Sequence, residues 1–368
     1  MALSTINTNS IADDAVTVPK VTDQVLTHRN LIINGAMQVA QRGTSTTGGG
    51  FLVDRFELNI NNTDNIAITQ SQDSSGPSGF ANSWKILATT AESVVAADER
   101  VRFRQNIEGQ NLQQFAFGTS AAKSMTLSFY VKSNKTGTYA VNLEQDDASR
   151  IIGSTYTINT ADTWEYKTIT VSGDTSGTIN DDNGAGLVVS WYLLAGSNYT
   201  GTDNTSYGAS ADGKQAYGHS TTWGQGTNDD FYITGIQLEL GDTATTFEHR
   251  SYSDELRRCQ RYFYAVNEHT STYDYPFFVA SAFSTTQANG GISLPVPMRA
   301  TPTNSYGNAF RFYRNSTYDD FTTLANDGGS NLSLNFAASN TLSHTAGTSG
   351  NIQVRIPDGG YIEADAEL

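Results

Sequence analysis

Cysteine is nearly missing from this chain: Cys259 stands alone among 368 residues. No disulfide within the chain can brace the fold, so durability has to come from packing or from association with other copies. Basic residues are few, 22 Lys and Arg against 37 Asp and Glu, for a formal net charge of −15. A field of that sign repels phosphate backbones and anionic bilayers, which argues against nucleic acid and membrane insertion. No stretch of eighteen apolar residues occurs. The start, Met1-Ala2-Leu3-Ser4-Thr5-Ile6-Asn7, lacks the basic and apolar regions of a signal peptide. The expectation is a soluble protein made in a cytoplasm. With 7 prolines, 33 glycines and only 16% charged residues, the chain is too charge-poor for helical bundles, yet at 38% hydrophobic it is too apolar for disorder.

What is present is β-patterning on a length that predicts two cores. Val101, Phe103, Gln105 and Ile107 alternate with polar residues, as do Met125, Leu127, Phe129 and Val131, then Tyr139, Val141 and Leu143, and Leu187, Val189, Trp191 and Leu193. Glu108-Gly109, Asn134-Lys135-Thr136-Gly137 and Asp181-Asp182-Asn183-Gly184 supply turn chemistry between such runs, as antiparallel sheets sharing one core require. In Phe231–Leu240 the apolar phase flips at Gly235. This predicts a β-bulge in one long strand, with two kinked strands as the alternative.

One helix is expected over residues 251–265. Ser251 or Ser253 can cap it, Asp254 and Glu255 suit its first turn, and Leu256, Cys259 and Phe263 form its apolar stripe. Cys259 reads as a buried small hydrophobe, with Arg257, Arg258 and Arg261 on the opposite side. Residues 266–368 resume short strands in a Gly/Ser/Asn-rich region bearing Phe277, Phe278, Phe310, Phe312, Tyr313 and Tyr318; a smaller C-terminal β-sandwich forming a recognition tip is expected. Residues 1–29 hold only scattered apolar beats, Ile6, Ile11, Val16 and Val18 among them. They read as a disordered tail or an extended N-terminal arm that orders against partner chains.

Catalytic signatures are missing. His28, His219, His249, His269 and His344 have no zinc spacing or nucleophile beside them, and Gly48-Gly49-Gly50 lacks the Lys of a phosphate loop. The acidic pairs Asp146-Asp147, Asp181-Asp182, Asp229-Asp230 and Asp319-Asp320 read as turn residues rather than the spaced carboxylates of a glycoside hydrolase. No cofactor is expected, although Asp181, Asp182 and Asn183 offer oxygens to a structural Ca²⁺. The stronger signal is the Gly-rich insertion between Leu194 and Thr227, carrying Tyr199, Tyr207, Tyr217, His219 and Trp223. Rings in such a loop either stack on sugar faces or pin the loop to its own sheet.

Several ordered stretches resemble a group of tailed-bacteriophage fibre proteins. They are Leu31-Ile32-Ile33-Asn34-Gly35-Ala36-Met37-Gln38-Val39-Ala40-Gln41-Arg42-Gly43 with Val53-Asp54-Arg55-Phe56, then Gln105-Asn106-Ile107-Glu108-Gly109, residues 123–133, Gly235–Arg250, and Cys259-Gln260-Arg261-Tyr262-Phe263-Tyr264. The likeness covers residues 30 to 265, and the middle also resembles the jelly-roll of carbohydrate-binding modules. Residues 9–17 resemble the leader ahead of phage fibre domains, which joins the fibre to the virion; the apolar beats of the arm, Ile6, Ile11, Val16 and Val18, are the expected virion-attachment positions. The resemblance implies an all-β, non-enzymatic homotrimer. It would be made in a bacterial cytoplasm, released by lysis, held to a virion tail or baseplate protein by its arm, and bound to host surface polysaccharide. The alternative is a structural virion protein, a capsid decoration, head fibre or baseplate spacer, with no ligand.

Overall fold

The computed structural model describes residues 28–266, 275–307, 309–322, 324–339, 345–355 and 360–368. The expected all-β architecture is present as two β-sandwiches with one short helix between them.

In the first sandwich a six-stranded sheet runs in the order Ser45–Thr47, Ala67–Asp73, Ser83–Thr90, Asp229–Leu240, Met125–Ser133, Glu165–Val171. The facing sheet runs Gly208–Ala209, Arg150–Ile158, Gly137–Gln145, Ala185–Ala195, Arg100–Glu108, Glu57–Asn61, Gly50–Phe51. Every pairing is antiparallel, and the chain shuttles repeatedly between the two sheets, as in a jelly-roll.

The alternating runs supply the core. Phe103 and Trp191 are opposite each other in register and stack at 5.1 Å. Trp84 from the facing sheet meets Phe103 edge-on at 5.3 Å, and Phe129 does the same to Trp191 at 5.9 Å. All four side chains are excluded from solvent, each burial contributing on the order of 2–3 kcal/mol.

Asp229–Leu240 is one continuous strand, and Gly235 is its bulge, at φ +63° with a register break against Met125–Ser133 between Thr234 and Gln237. Before the bulge the strand pairs with Ser83–Thr90. After it, Ile236 N–H donates to Gly35 O at 3.0 Å and Leu238 O accepts from Leu31 N–H at 2.9 Å. The inserted residue thus lets one strand hold two different neighbours.

The helix spans Tyr252–Gln260, and Ser251 Oγ accepts from Asp254 N–H at 3.2 Å as its cap. Cys259 is buried as expected, and burial drives its thiol well above its ordinary range. Phe263 is not on the helix. It opens the strand Phe263–Val266, which pairs with Ile362–Asp365 beside Thr303–Tyr306 in a three-stranded sheet. This sheet shares a core with a seven-stranded one ordered Thr317–Phe321, Phe310–Arg314, Ser349–Val354, Tyr275–Ala282, Gln287–Ser293, Ser333–Ser339, Leu324–Ser330. The first strand of the second sandwich opens at Phe263, directly after the helix, whose Cys259 is buried.

The chain's last residues return to the first sandwich. Glu367 pairs with Arg42 at 3.5 Å and with Arg55, whose guanidinium lies 3.3 Å from the Tyr262 ring centre. Phe278, Phe310, Phe312 and Phe321 fill the second core, while Tyr318 and Phe283 face solvent. The expected recognition tip thus exposes only part of its aromatic set.

Candidate functional site

Alternation along the seven-stranded sheet of the first sandwich sends Phe103, Gln105, Trp191 and Val141 inward. Arg102, Arg104, Asn106, Ser190, Tyr192 and Asn142 point to the outer face. Register aligns these side chains in rows across the strands. One row is Asn59, Arg102 and Tyr192; the next is Glu57, Arg104, Ser190 and Asn142.

The rows are polar and cross-linked. The Tyr192 hydroxyl accepts from Arg102 Nη1 at 3.3 Å and Asn142 Nδ2 at 3.1 Å, and Arg104 Nε donates to Glu57 Oε2 at 2.6 Å. At one end the insertion closes over the face: Gln215 O accepts from Asn142 Nδ2 at 2.7 Å, and Tyr199 and Ala216 pack on Tyr192 and Ala140. At the other end Leu368 O accepts from Asn106 Nδ2 at 2.7 Å. Between these covers, Arg104 and Glu57 keep 28% and 22% of their side chains exposed.

Among the described residues, five buried polar atoms on this face have no hydrogen-bond partner: Asn59 Oδ1, Arg102 Nε, Asn106 Oδ1, Asn142 Oδ1 and Ser190 Oγ. Buried polar atoms normally find partners, and leaving one bare costs about 1–3 kcal/mol. Three amide acceptors, one guanidinium donor and one hydroxyl lie within adjoining rows alongside the part-exposed Arg104 and Glu57, and their unmet bonds suit buried water, which both donates and accepts. Sequence reading missed this face because its members are polar residues interleaved with core positions. The period-two pattern places them outside without showing that they converge.

The aromatic insertion is organised otherwise. Trp223 is fully buried in the core, and Tyr199 is 8% exposed with its hydroxyl donating to Asp98 O at 3.1 Å. Tyr207 packs half-buried against the same core, burial pushing its hydroxyl well up. His219 Nδ1 accepts from Ala140 N–H at 3.3 Å, and burial depresses the ring to about 4, so it is neutral at pH 7. Only Tyr217 of the five is exposed. The structure therefore does not gather these rings into a stacking platform. Tyr199 packs over the outer sheet face, Trp223 and Tyr207 anchor the loop to the core between the sheets, and His219 bonds the Ala140 N–H.

Ile6, Ile11, Val16 and Val18, assigned to virion attachment, lie outside the described residues. Among the described residues no three His, Cys, Asp or Glu side chains gather as a metal site. Of the groups considered for Ca²⁺, Asp182 Oδ1 accepts from Gly184 N–H at 2.8 Å within the turn, and Asn183 Nδ2 donates to Arg299 O at 2.6 Å.

Two of the acidic pairs sit in strands rather than turns, Asp229-Asp230 in Asp229–Leu240 and Asp319-Asp320 in Thr317–Phe321. Adjacent strand residues face opposite sides, so neither pair can span a scissile bond. Asp229 Oδ2 takes the N–H groups of Gly224 and Gly226 and its Oδ1 lies 3.1 Å from Lys135 Nζ. Asp54, its carboxyl raised to about 6 by burial against the pull of Gln41 and Arg42, is sealed from solvent.

No family model matches the chain, and no curated protein matches it. Among solved structures it is similar to the enzymatically active domain of tailspike protein 4 of bacteriophage CBA120, at 14% identity and a TM-score of 0.31. That match covers 57% of this chain and 21% of the tailspike chain, so this chain spans about a fifth of that protein's length. It is also similar to the C-terminal family 22 carbohydrate binding module of Clostridium thermocellum Xyn10B, at 11% identity over 60% of this chain and 99% of that one, with a TM-score of 0.30. The CBM22-1 xylan-binding domain of Paenibacillus barcinonensis Xyn10C gives 10% identity over 59% and 100%, with a TM-score of 0.26.

Proposed function

We propose that this chain is a glycan-binding adhesin without catalysis, a homotrimeric bacteriophage tail fibre that attaches the virion to host surface polysaccharide through the outer face of its seven-stranded jelly-roll sheet. The observation that carries the reading is the polar outer sheet face on which Arg104 and Glu57 stay 28% and 22% exposed between the two covers. Saccharide hydroxyls both donate and accept, and a face narrowed by the insertion and the C-terminal residues suits one chain segment. The ordered motifs of residues 30–265 support the phage assignment. A single polar strip binds weakly, with dissociation constants on the order of millimolar, and three copies per fibre raise the avidity.

Arg104→Gln tests this. It removes a part-exposed guanidinium that bonds Glu57 across the face, so the fold should lose little stability. Calorimetric titration of wild type with neutral oligosaccharides should show binding that Arg104→Gln weakens several-fold. Unchanged binding in a folded Arg104→Gln variant, or no saccharide binding by wild type, refutes the assignment. Sedimentation should find a trimer; a monomer at micromolar concentration removes the fibre part of the reading.

The structural virion protein keeps one observation in its favour: Trp223, Tyr199, Phe310 and Phe312 are spent on internal packing. A particle lacking this chain that still adsorbs to its host at the normal rate supports that reading instead.

A further inference from the structure

We infer that a second ligand site, specific for an acidic sugar, lies in the groove between the helix Tyr252–Gln260 and the second sandwich. It rests on the glycan-binding reading and adds the chemical class of residue recognised. The groove has a volume of about 680 Å³, within the range of about 300–1,000 Å³ usual for small-ligand sites. Val296 and Pro297 form its apolar side; Arg250, Arg257, Arg258 and Arg261 line it against two carboxylates, Glu248 and Asp254.

In a chain of net charge −15 this is a local reversal of sign. The four arginines are not equivalent. Arg261 is held by Glu108 at 2.6 Å, and Arg250 lies near Glu248 at 3.6 Å and Glu255 at 3.5 Å. Asp254 is engaged by the cap, accepting from Ser251 Oγ at 2.7 Å. Arg257 and Arg258 have no carboxylate within ion-pair distance among the described residues, and Arg258 Nη2 is 3.4 Å from His28 Nδ1.

The Arg250 side chain is only 7% exposed and already engaged: its Nε faces Glu248 Oε1 at 3.6 Å and its Nη1 donates to Ile32 O at 3.1 Å. Arg257 and Arg258, with no carboxylate partner among the described residues, are the forks open to an anionic oxygen in this groove. A groove of this volume holds a short ligand, so the ligand is a small acidic saccharide. A carboxylate and a phosphate both fit this chemistry.

The test uses the full chain with three probes: digalacturonic acid, mannose 6-phosphate and uncharged galactotriose. Wild type should bind at least one acidic probe about tenfold more tightly than the neutral one at low ionic strength, the gap closing as salt rises. Whichever acidic probe binds identifies the carboxylate or the phosphate as the source. Arg257→Gln with Arg258→Gln, both outside the core, should abolish the preference and leave binding of neutral sugar at the sheet face intact. Equal affinity for all three probes in wild type, or a preference that survives in the double variant, overturns this site. Loss of neutral binding alone, with the acidic preference kept, overturns the sheet-face reading and leaves this one standing.

Discussion

Arg261 grips Glu108 through two parallel hydrogen bonds, Nε to Oε1 at 2.7 Å and Nη2 to Oε2 at 2.6 Å, joining the residue just past the helix to the end of a jelly-roll strand. Burial alone would raise the Glu108 carboxyl. The bonds from Arg261, Tyr262 and Gln110 outweigh it and hold the group below its ordinary value.

Breaking this clasp should cost unequally from its two sides. Arg261→Ala leaves a carboxylate with no exposed side-chain surface lacking its cation and should destabilise the protein by about 3 kcal/mol. Glu108→Gln leaves an arginine that is 31% exposed and can turn to water, at about 1–2 kcal/mol. Chemical denaturation of both single variants and the double variant checks the order; equal costs would mean the bonds do not couple the parts.

Asp54 makes stability depend on pH in an unusual direction. Its value rises from 3.8 to about 6 in the fold, burial being the main cause. The native state then binds the proton more tightly than the unfolded chain, so this contribution is full below about pH 4 and is lost as pH climbs through about 6. It amounts to roughly 2–3 kcal/mol. Glu165, lowered to about 2 because bonds from Lys167, Thr160 and Asn159 overcome burial, loses its contribution only on acidification below about pH 4.5. Melting temperature should therefore fall between about pH 4.5 and 6 in wild type, and the slope should flatten in Asp54→Asn.

Gly235→Ala should be costly at the bulge. At φ +63° an added Cβ would stand 2.8 Å from Phe80 Cζ and 3.0 Å from Tyr130 Cδ2, in a backbone region that side chains avoid. A loss of about 2–4 kcal/mol is expected in urea. A loss under 1 kcal/mol would show that the strand can relax without its bulge.

Within the insertion, Trp223→Ala should cost about 3–5 kcal/mol through the cavity it leaves in the core. Tyr217→Ala, at an exposed position, should change stability by less than about 0.5 kcal/mol. Thermal melts of the two variants separate loop pinning from surface display.

Much was legible in the residue order because it is local physics. The period-two runs became Arg100–Glu108, Met125–Ser133, Gly137–Gln145 and Ala185–Ala195; the phase flip became the bulge at Gly235; Ser251 became the cap and Cys259 a core residue. Contacts across long chain separations were not legible. Arg55 and Glu367, 312 residues apart, meet only when the second sandwich folds back. Likewise Asn59, Arg102, Ser190 and Asn142 become neighbours only through strand register. Side-chain alternation is written residue by residue, so the chain alone determined which positions face inward. Which outward-facing groups share a surface, and which aromatic rings are taken up by packing, depends on how sheets pair and cover one another, and only the tertiary structure decided that.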